Sequence, residues 1–267
     1  MNRADSEKHQ KKPGKETAGG QLSIRVVTYN IHGCVDQNRN VNCGKFVGII
    51  EALQADIVAL QEVNARYVDR EPRNQAATLA HKLQMNYIFF PAENTGLRTF
   101  GLAILSHFPL AESHGGLLPQ LYARLKPRKR AAVRASHQTP VGPQHIFNAH
   151  FSLFKLERRR QLKTLLGRDW LASVPAGEPV IFCGDFNAGP LSKTYRTLSR
   201  HLADVQKEIK GQGGAASQPT FHSRSPLFRI DHIFVSPHFR IIGVEVIKTP
   251  DTQTASDHLP LAADLAI

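Results

Sequence analysis

The chain has 267 residues, a formal net charge of +12 and 41% hydrophobic residues. That composition supports one large α/β domain and excludes a mainly disordered chain. No run reaches the roughly 18 uninterrupted apolar residues of a membrane-spanning helix.

In chain order, residues 1–20 are rich in Lys, Gln and Gly without an apolar centre, so they read as a disordered basic tail and not as a secretory signal. One domain is expected over 21–267. Its first strand is Ile24 to Tyr29, followed by a loop from Gly33 to Gly44. Phe46, Ile49, Ile50 and Leu53 then recur at helical spacing. Asp56 opens a fully apolar strand ending at Leu60, the pattern of a strand covered on both faces. Ala76, Leu79, Ala80 and Leu83 mark a second helix. Tyr87–Phe90, Leu102–Ser106, Ala131–Ser136 and the run ending at His150 read as strands. Leu162, Leu165, Leu166 and Trp170 outline a third helix. After it come a strand over Pro179–Cys183, a short helix over Ser192–Arg200 with Ser192 as N-cap, and a Gly- and Ser-rich loop, 211–219. Ile230–Val235, Ile241–Ile247 and Leu261–Leu265 complete the set. Strands and helices thus follow one another in two similar halves. They predict two mixed β-sheets packed face to face with helices outside, a four-layer α/β sandwich.

The charge is local. Residues 124–134 hold six basic groups and no acid, and residues 154–163 hold five basic groups and one acid. Such surfaces suit a polyanion, either nucleic acid or an anionic membrane face; solvated faces that aid solubility are the plainer reading. Cys34, Cys43 and Cys183 are an odd set without ligand spacing. They favour free thiols and a reducing, cytoplasmic location over a Cys34–Cys43 bridge.

Polar residues stand just past the apolar runs, where strands deliver chemical groups to a sheet rim. They are Asn30 and His32, Glu62, His150, Asp185 with Asn187, and Asp257 with His258. Glu62 is a candidate ligand for a hard divalent cation, which takes oxygen donors and keeps several waters. Asn30 and Asp257 would add a carbonyl and a carboxylate. Alone, Glu62 reads equally as a surface glutamate opening a loop. Asp185 and Asn187 lie two apart, so an extended backbone turns both the same way; Gly184-Asp185 is also an ordinary turn sequence. Asp231 could fix the tautomer of His258. With thirteen histidines in the chain, a lone His150 reads more readily as structural. Arg130 could clamp a phosphate.

Seven short motifs carry a resemblance: Thr28-Tyr29-Asn30, Gln61-Glu62, Arg130-Ala131-Ala132-Val133, Asn148-Ala149-His150, Gly184-Asp185-Phe186-Asn187, Arg229-Ile230-Asp231 and Ser256-Asp257-His258-Leu259-Pro260. In this order the chain resembles the endonuclease/exonuclease/phosphatase superfamily, in a bacterial branch of small, unassigned hydrolases. The resemblance implies hydrolysis of phosphoesters with Mg²⁺ or Mn²⁺. It implies metal ligation by Asn30, Glu62 and Asp257 and water activation by Asp185. Asn187 would hold the phosphoryl group, His258 with Asp231 and His150 would face the phosphate, and Arg130 would support them. Tyr29 and Phe186 stand where abasic-site endonucleases usually carry Trp, and Leu102 where an Asn is frequent, which argues against abasic-site repair. Nucleic acid is the expected substrate and a monomer the expected state. The rivals are a lipid phosphodiesterase at an anionic membrane and a non-catalytic polyanion binder. Exposed aromatic side chains in Leu118–Tyr122 or Phe221–Phe228 would favour lipid; a groove lined by 124–134 would favour nucleic acid.

Overall fold

A computed structural model describes residues 14–16, 20–68, 71–95, 98–122, 124, 128–211 and 217–267. The strands of the first half are β1 (Lys15–Glu16), β2 (Leu22–Asn30), β3 (Ile57–Val68), β4 (Glu71–Asn74), β5 (Asn86–Asn94), β6 (Arg98–Ser106) and β7 (Leu110–Leu117). Those that follow are β8 (Ala131–Thr139), β9 (Gly142–His150), β10 (Val180–Asp185), β11 (Ala203–Asp204), β12 (Asp231–Val235), β13 (Arg240–Val246) and β14 (Leu261–Ala266). The helices are α1 (Cys43–Leu53), α2 (Gln75–Leu83), α3 (Lys155–Leu165), α4 (Lys193–Leu198), α5 (Val205–Gly211) and α6 (Pro250–Ala255).

Two sheets form. One runs β13-β14-β2-β3-β6-β5, with β1 and β4 added on β2 and β3; the other runs β11-β12-β10-β9-β8-β7. Each contains one parallel pair, β2 with β3 and β9 with β10, among antiparallel neighbours. The period-2 alternation of the strands decides what each face covers. Ile24 and Val26 of β2 meet Ile181 and Cys183 of β10 in the layer between the sheets. Val27 and Tyr29 turn outward against Phe46 and Ile50 of α1 and Leu79 of α2. Phe147 of β9 and Phe182 of β10 turn outward against Leu162, Leu165 and Leu198 on α3 and α4. Three apolar layers therefore separate four layers of secondary structure, the expected sandwich.

The expected helices and central strands form, and Ser192 caps α4 by accepting from the Tyr195 amide at 3.1 Å. β4, β11, α5 and α6 form without having been expected, and other features also depart from expectation. Lys15 and Glu16, inside the expected tail, pair with Ser23 and Leu22, while residues 1–13 and 17–19 lie outside the described residues. The third helix ends at Leu165, and Trp170 follows beyond Gly167, still buried in the outer layer. β7 was not anticipated: it is an edge strand, largely exposed, with Gly115 and Gly116 in place of an alternating apolar pattern. Residues 212–216 of the expected loop lie outside the described residues. All three cysteines are free thiols. No helix among the described residues is long and apolar enough to cross a membrane.

Candidate active site

Strand register brings the polar residues to one rim. On the second sheet His150, Asp185 and Asp231 are direct partners across β9, β10 and β12. On the first sheet Asn30 ends β2 opposite Gln61 of β3. A bulge between Leu60 and Val63 interrupts the pairing of β3 with β6 there. Such a bulge re-aims side chains. Gln61 points between the sheets and donates to Asn148 Oδ1 at 2.7 Å, while Glu62, at φ +58°, reaches the open side of the rim. Asn187 also lies in the left-handed region, at φ +47°. Its amide nitrogen thereby reaches the carbonyl of Phe151 at 3.0 Å and His150 Nε2 at 3.2 Å.

Asp185 is the hub. Its Oδ2 lies 3.0 Å from Asn30 Nδ2, 3.2 Å from His150 Nε2 and 3.7 Å from His258 Nε2. The opposite ring nitrogen of His258 meets Asp231 Oδ2 at 2.8 Å. A guanidinium nitrogen of Arg130 lies 2.7 Å from His150 Nε2. Asp257 Oδ1 stands 3.1 Å from Nδ1 of His32. Arg128 lies 3.6 Å from Glu62 Oε2 and 4.8 Å above the ring of Phe100. All nine expected site residues fall in this one neighbourhood. His32, expected at the rim, and Arg128, expected in a basic polyanion-facing segment, join them as partners of Asp257 and Glu62. Each stood in a quoted segment, but the pairing that recruits it crosses the fold.

Charge balance follows from this packing. Burial favours the neutral ring of His258, but Asp231, Asp185 and Asp257 outweigh it and push its pKa up to about 10, making it an imidazolium at neutral pH. Burial would raise the Asp185 carboxyl; the adjacent His150 and His258 overcome that and hold it well below the usual carboxylate range. Asp257 is lowered in the same way: burial opposes, and the His32 hydrogen bond and His258 prevail. Burial lowers Arg130, with Asp185 and Glu62 opposing.

Two donor sets could hold a cation. Asp185, Asp231 and His258 lie close enough together to share one. In that set His258 Nδ1 faces Asp231, so a cation would have to displace the Nε2 proton. Glu62 fits better. Asn30 Nδ2 is 3.4 Å from its Oε1, so neither oxygen is held by a short hydrogen bond. Glu62 also lines a cavity of about 320 Å³ shared with His32, Asn64, Glu93, Phe100 and Arg128. Oxygen donors beside water-accessible space suit Mg²⁺ or Mn²⁺. Asn30 presents its amide nitrogen to both carboxylates, and its Oδ1 accepts from the His32 amide at 3.1 Å. Its ligation of a metal therefore requires the amide to turn over.

The family model for the endonuclease/exonuclease/phosphatase family matches residues 27–258, nearly the whole described domain. The chain belongs to this family. Endonuclease/exonuclease/phosphatase members hydrolyse phosphoesters and generally depend on divalent metals. This chain is 26% identical over 268 aligned residues to the uncharacterized protein YbhP of Escherichia coli K12, covering 92% of this chain and 97% of YbhP. Among solved structures, an endonuclease/exonuclease/phosphatase from Beutenbergia cavernae superposes with a TM-score of 0.73 at 22% identity, covering 92% of this chain and 72% of that one. A mannosyl-6-phosphatase from Bacteroides thetaiotaomicron gives 0.73 at 20% identity, covering 91% of this chain and 100% of that one.

Proposed function

We propose that the protein is a metal-dependent phosphodiester hydrolase that attacks phosphorus in line with a water molecule. The observation that carries this reading is the convergence of Asn30, His150 and His258 on one oxygen of Asp185, with Glu62 beside Asn30 and Asp231 behind His258. Glu62 would hold Mg²⁺ or Mn²⁺, with Asp257 and a turned Asn30 beside it. When bound, such a cation polarises a phosphoryl oxygen and offsets negative charge in the transition state.

The chain's own groups supply the rest. Asp185 orients the attacking water. Held so low, its carboxylate is a poor proton acceptor at rest, but an incoming phosphate anion raises it toward a useful base. His258 donates its Nε2 proton to a phosphoryl oxygen while Asp231 fixes the ring through Nδ1. Asn187 and Arg130 exchange their contacts with His150 for phosphate oxygens; Asp185 takes the proton of the attacking water, and His150 gives its Nε2 proton to the leaving oxygen.

The six cations of 124–134 suit a phosphodiester carried on a polyanionic surface, and Arg128 and Arg130 lie at the site. The middle of that segment, 125–127, is outside the described residues. The test offers bis(p-nitrophenyl) phosphate and p-nitrophenyl phosphate with Mg²⁺ or Mn²⁺. Turnover of the diester by wild type and its loss in Glu62→Gln is expected. Cleavage of the monoester alone would replace the reading with a phosphomonoesterase like the mannosyl-6-phosphatase of the same fold.

A further inference from the structure

The four most exposed large apolar side chains among the described residues are Leu191 at 89%, Leu227 at 75%, Leu153 at 67% and Phe228 at 60%. All four lie on three loops. Leu153 follows His150 at the end of β9, Leu191 follows Asp185 at the end of β10, and Leu227 and Phe228 precede Asp231 at the start of β12. Because His150, Asp185 and Asp231 are register partners, the three loops leave one edge of one sheet, the edge where the site opens.

Each loop also carries an exposed cation beside its apolar tip: Lys155, Lys193 and Arg224. Residues 118–130, 151–156, 186–200 and 217–230 contain no Asp or Glu at all. An apolar patch ringed by cations, without an acid, matches lipid headgroups over acyl chains. It suits acyl chains better than a nucleic-acid track, since three of the four tips are leucine, which has no ring face on which a base can stack. The third loop is also tied to the chemistry. Phe221 bridges both Phe228 and His258, and its ring lies 4.9 Å from the His258 imidazole.

We propose that this rim docks on an anionic phospholipid bilayer, which then presents a lipid phosphodiester to Asp185; the second clause rests on the hydrolytic reading above. Docking is measured by co-sedimentation with vesicles of phosphatidylglycerol and phosphatidylcholine in equal parts, and with phosphatidylcholine alone. Wild type should pellet with the anionic vesicles and release at high salt. Leu191→Glu and Leu227→Glu should each weaken partitioning on the order of tenfold, since each removes a side chain's worth of apolar burial. Lys193→Glu with Arg224→Glu should remove the preference for anionic vesicles. All of these variants should keep wild-type turnover of soluble bis(p-nitrophenyl) phosphate. Glu62→Gln should pellet like wild type while hydrolysing nothing.

Failure of wild type to bind anionic vesicles would overturn the docking surface even with hydrolysis intact. So would apolar-tip variants that lose binding to single-stranded DNA while still pelleting. Vesicle binding by a protein inert toward every phosphodiester would sustain docking and overturn the hydrolytic reading instead.

Discussion

The amide nitrogen of Asn30 lies 3.0 Å from Oδ2 of Asp185, joining the last residue of β2 to the last residue of β10 across the two sheets. Asn30→Asp would set three carboxylates side by side with one donor fewer. Turnover should vanish, and stability at neutral pH should fall by about 3 kcal/mol or more, the scale for a buried uncompensated charge. Lowering the pH should restore part of that loss by protonating one carboxyl. Urea denaturation at pH 5 and pH 7 checks both.

His258 should remain protonated well above neutrality, read from its Cε1 proton shift during a pH titration. Its pKa is raised in the fold from 6.5 to about 10. The stability it contributes is therefore complete below pH 6.5 and drains away as pH rises toward 10. Asp231→Asn should flatten that decline. His258→Ala should lower kcat by on the order of 10²–10⁴-fold, and Asp231→Asn by less, because it mis-orients the ring without removing it.

Gly184→Ala should damage the site without touching a polar group. Gly184 has φ +145°, and a Cβ there would lie 1.9 Å from the carbonyl oxygen of Ala149. β9 and β10 would have to separate just where His150 meets Asp185. A lower melting temperature together with a lower kcat is expected; a variant with wild-type kcat would show that this spacing has slack.

Arg128 should act against the cation. It sits 3.6 Å from Glu62 Oε2, with its guanidinium over Phe100. Calorimetric titration with Mg²⁺ should show tighter binding in Arg128→Ala and much weaker binding in Glu62→Gln. The arginine variant should also have a raised KM, since a cation at the mouth attracts an anionic substrate.

Much of this site was legible because each apolar run stops abruptly at a polar residue. Asn30, Glu62 and Asp185 announce themselves in that way, and the order of the seven motifs pointed to the family that the matched model shows. Less legible was whatever depends on two distant segments. His150 had no partner in the sequence, yet Arg130 and Asp185 converge on its Nε2 from neighbouring strands. The left-handed backbone of Glu62 follows from a bulge against β6, and no local signal encodes that pairing. β7 escaped notice because an edge strand need not alternate. Both histidines, expected to face the phosphate, address the same oxygen of Asp185.

The Asn30–Asp185, His258–Asp231 and Gln61–Asn148 contacts all cross from one sheet to the other. The enzyme is in this sense a clasp whose halves are useless apart. A slip of about 1 Å between the sheets can cost about 10²-fold in rate, while the outer helical layers would hardly register it. The single tryptophan, Trp170, is buried in one of those outer layers. Rising urea should therefore silence turnover before Trp170 fluorescence changes, which makes catalysis the more sensitive gauge of how the two sheets are seated.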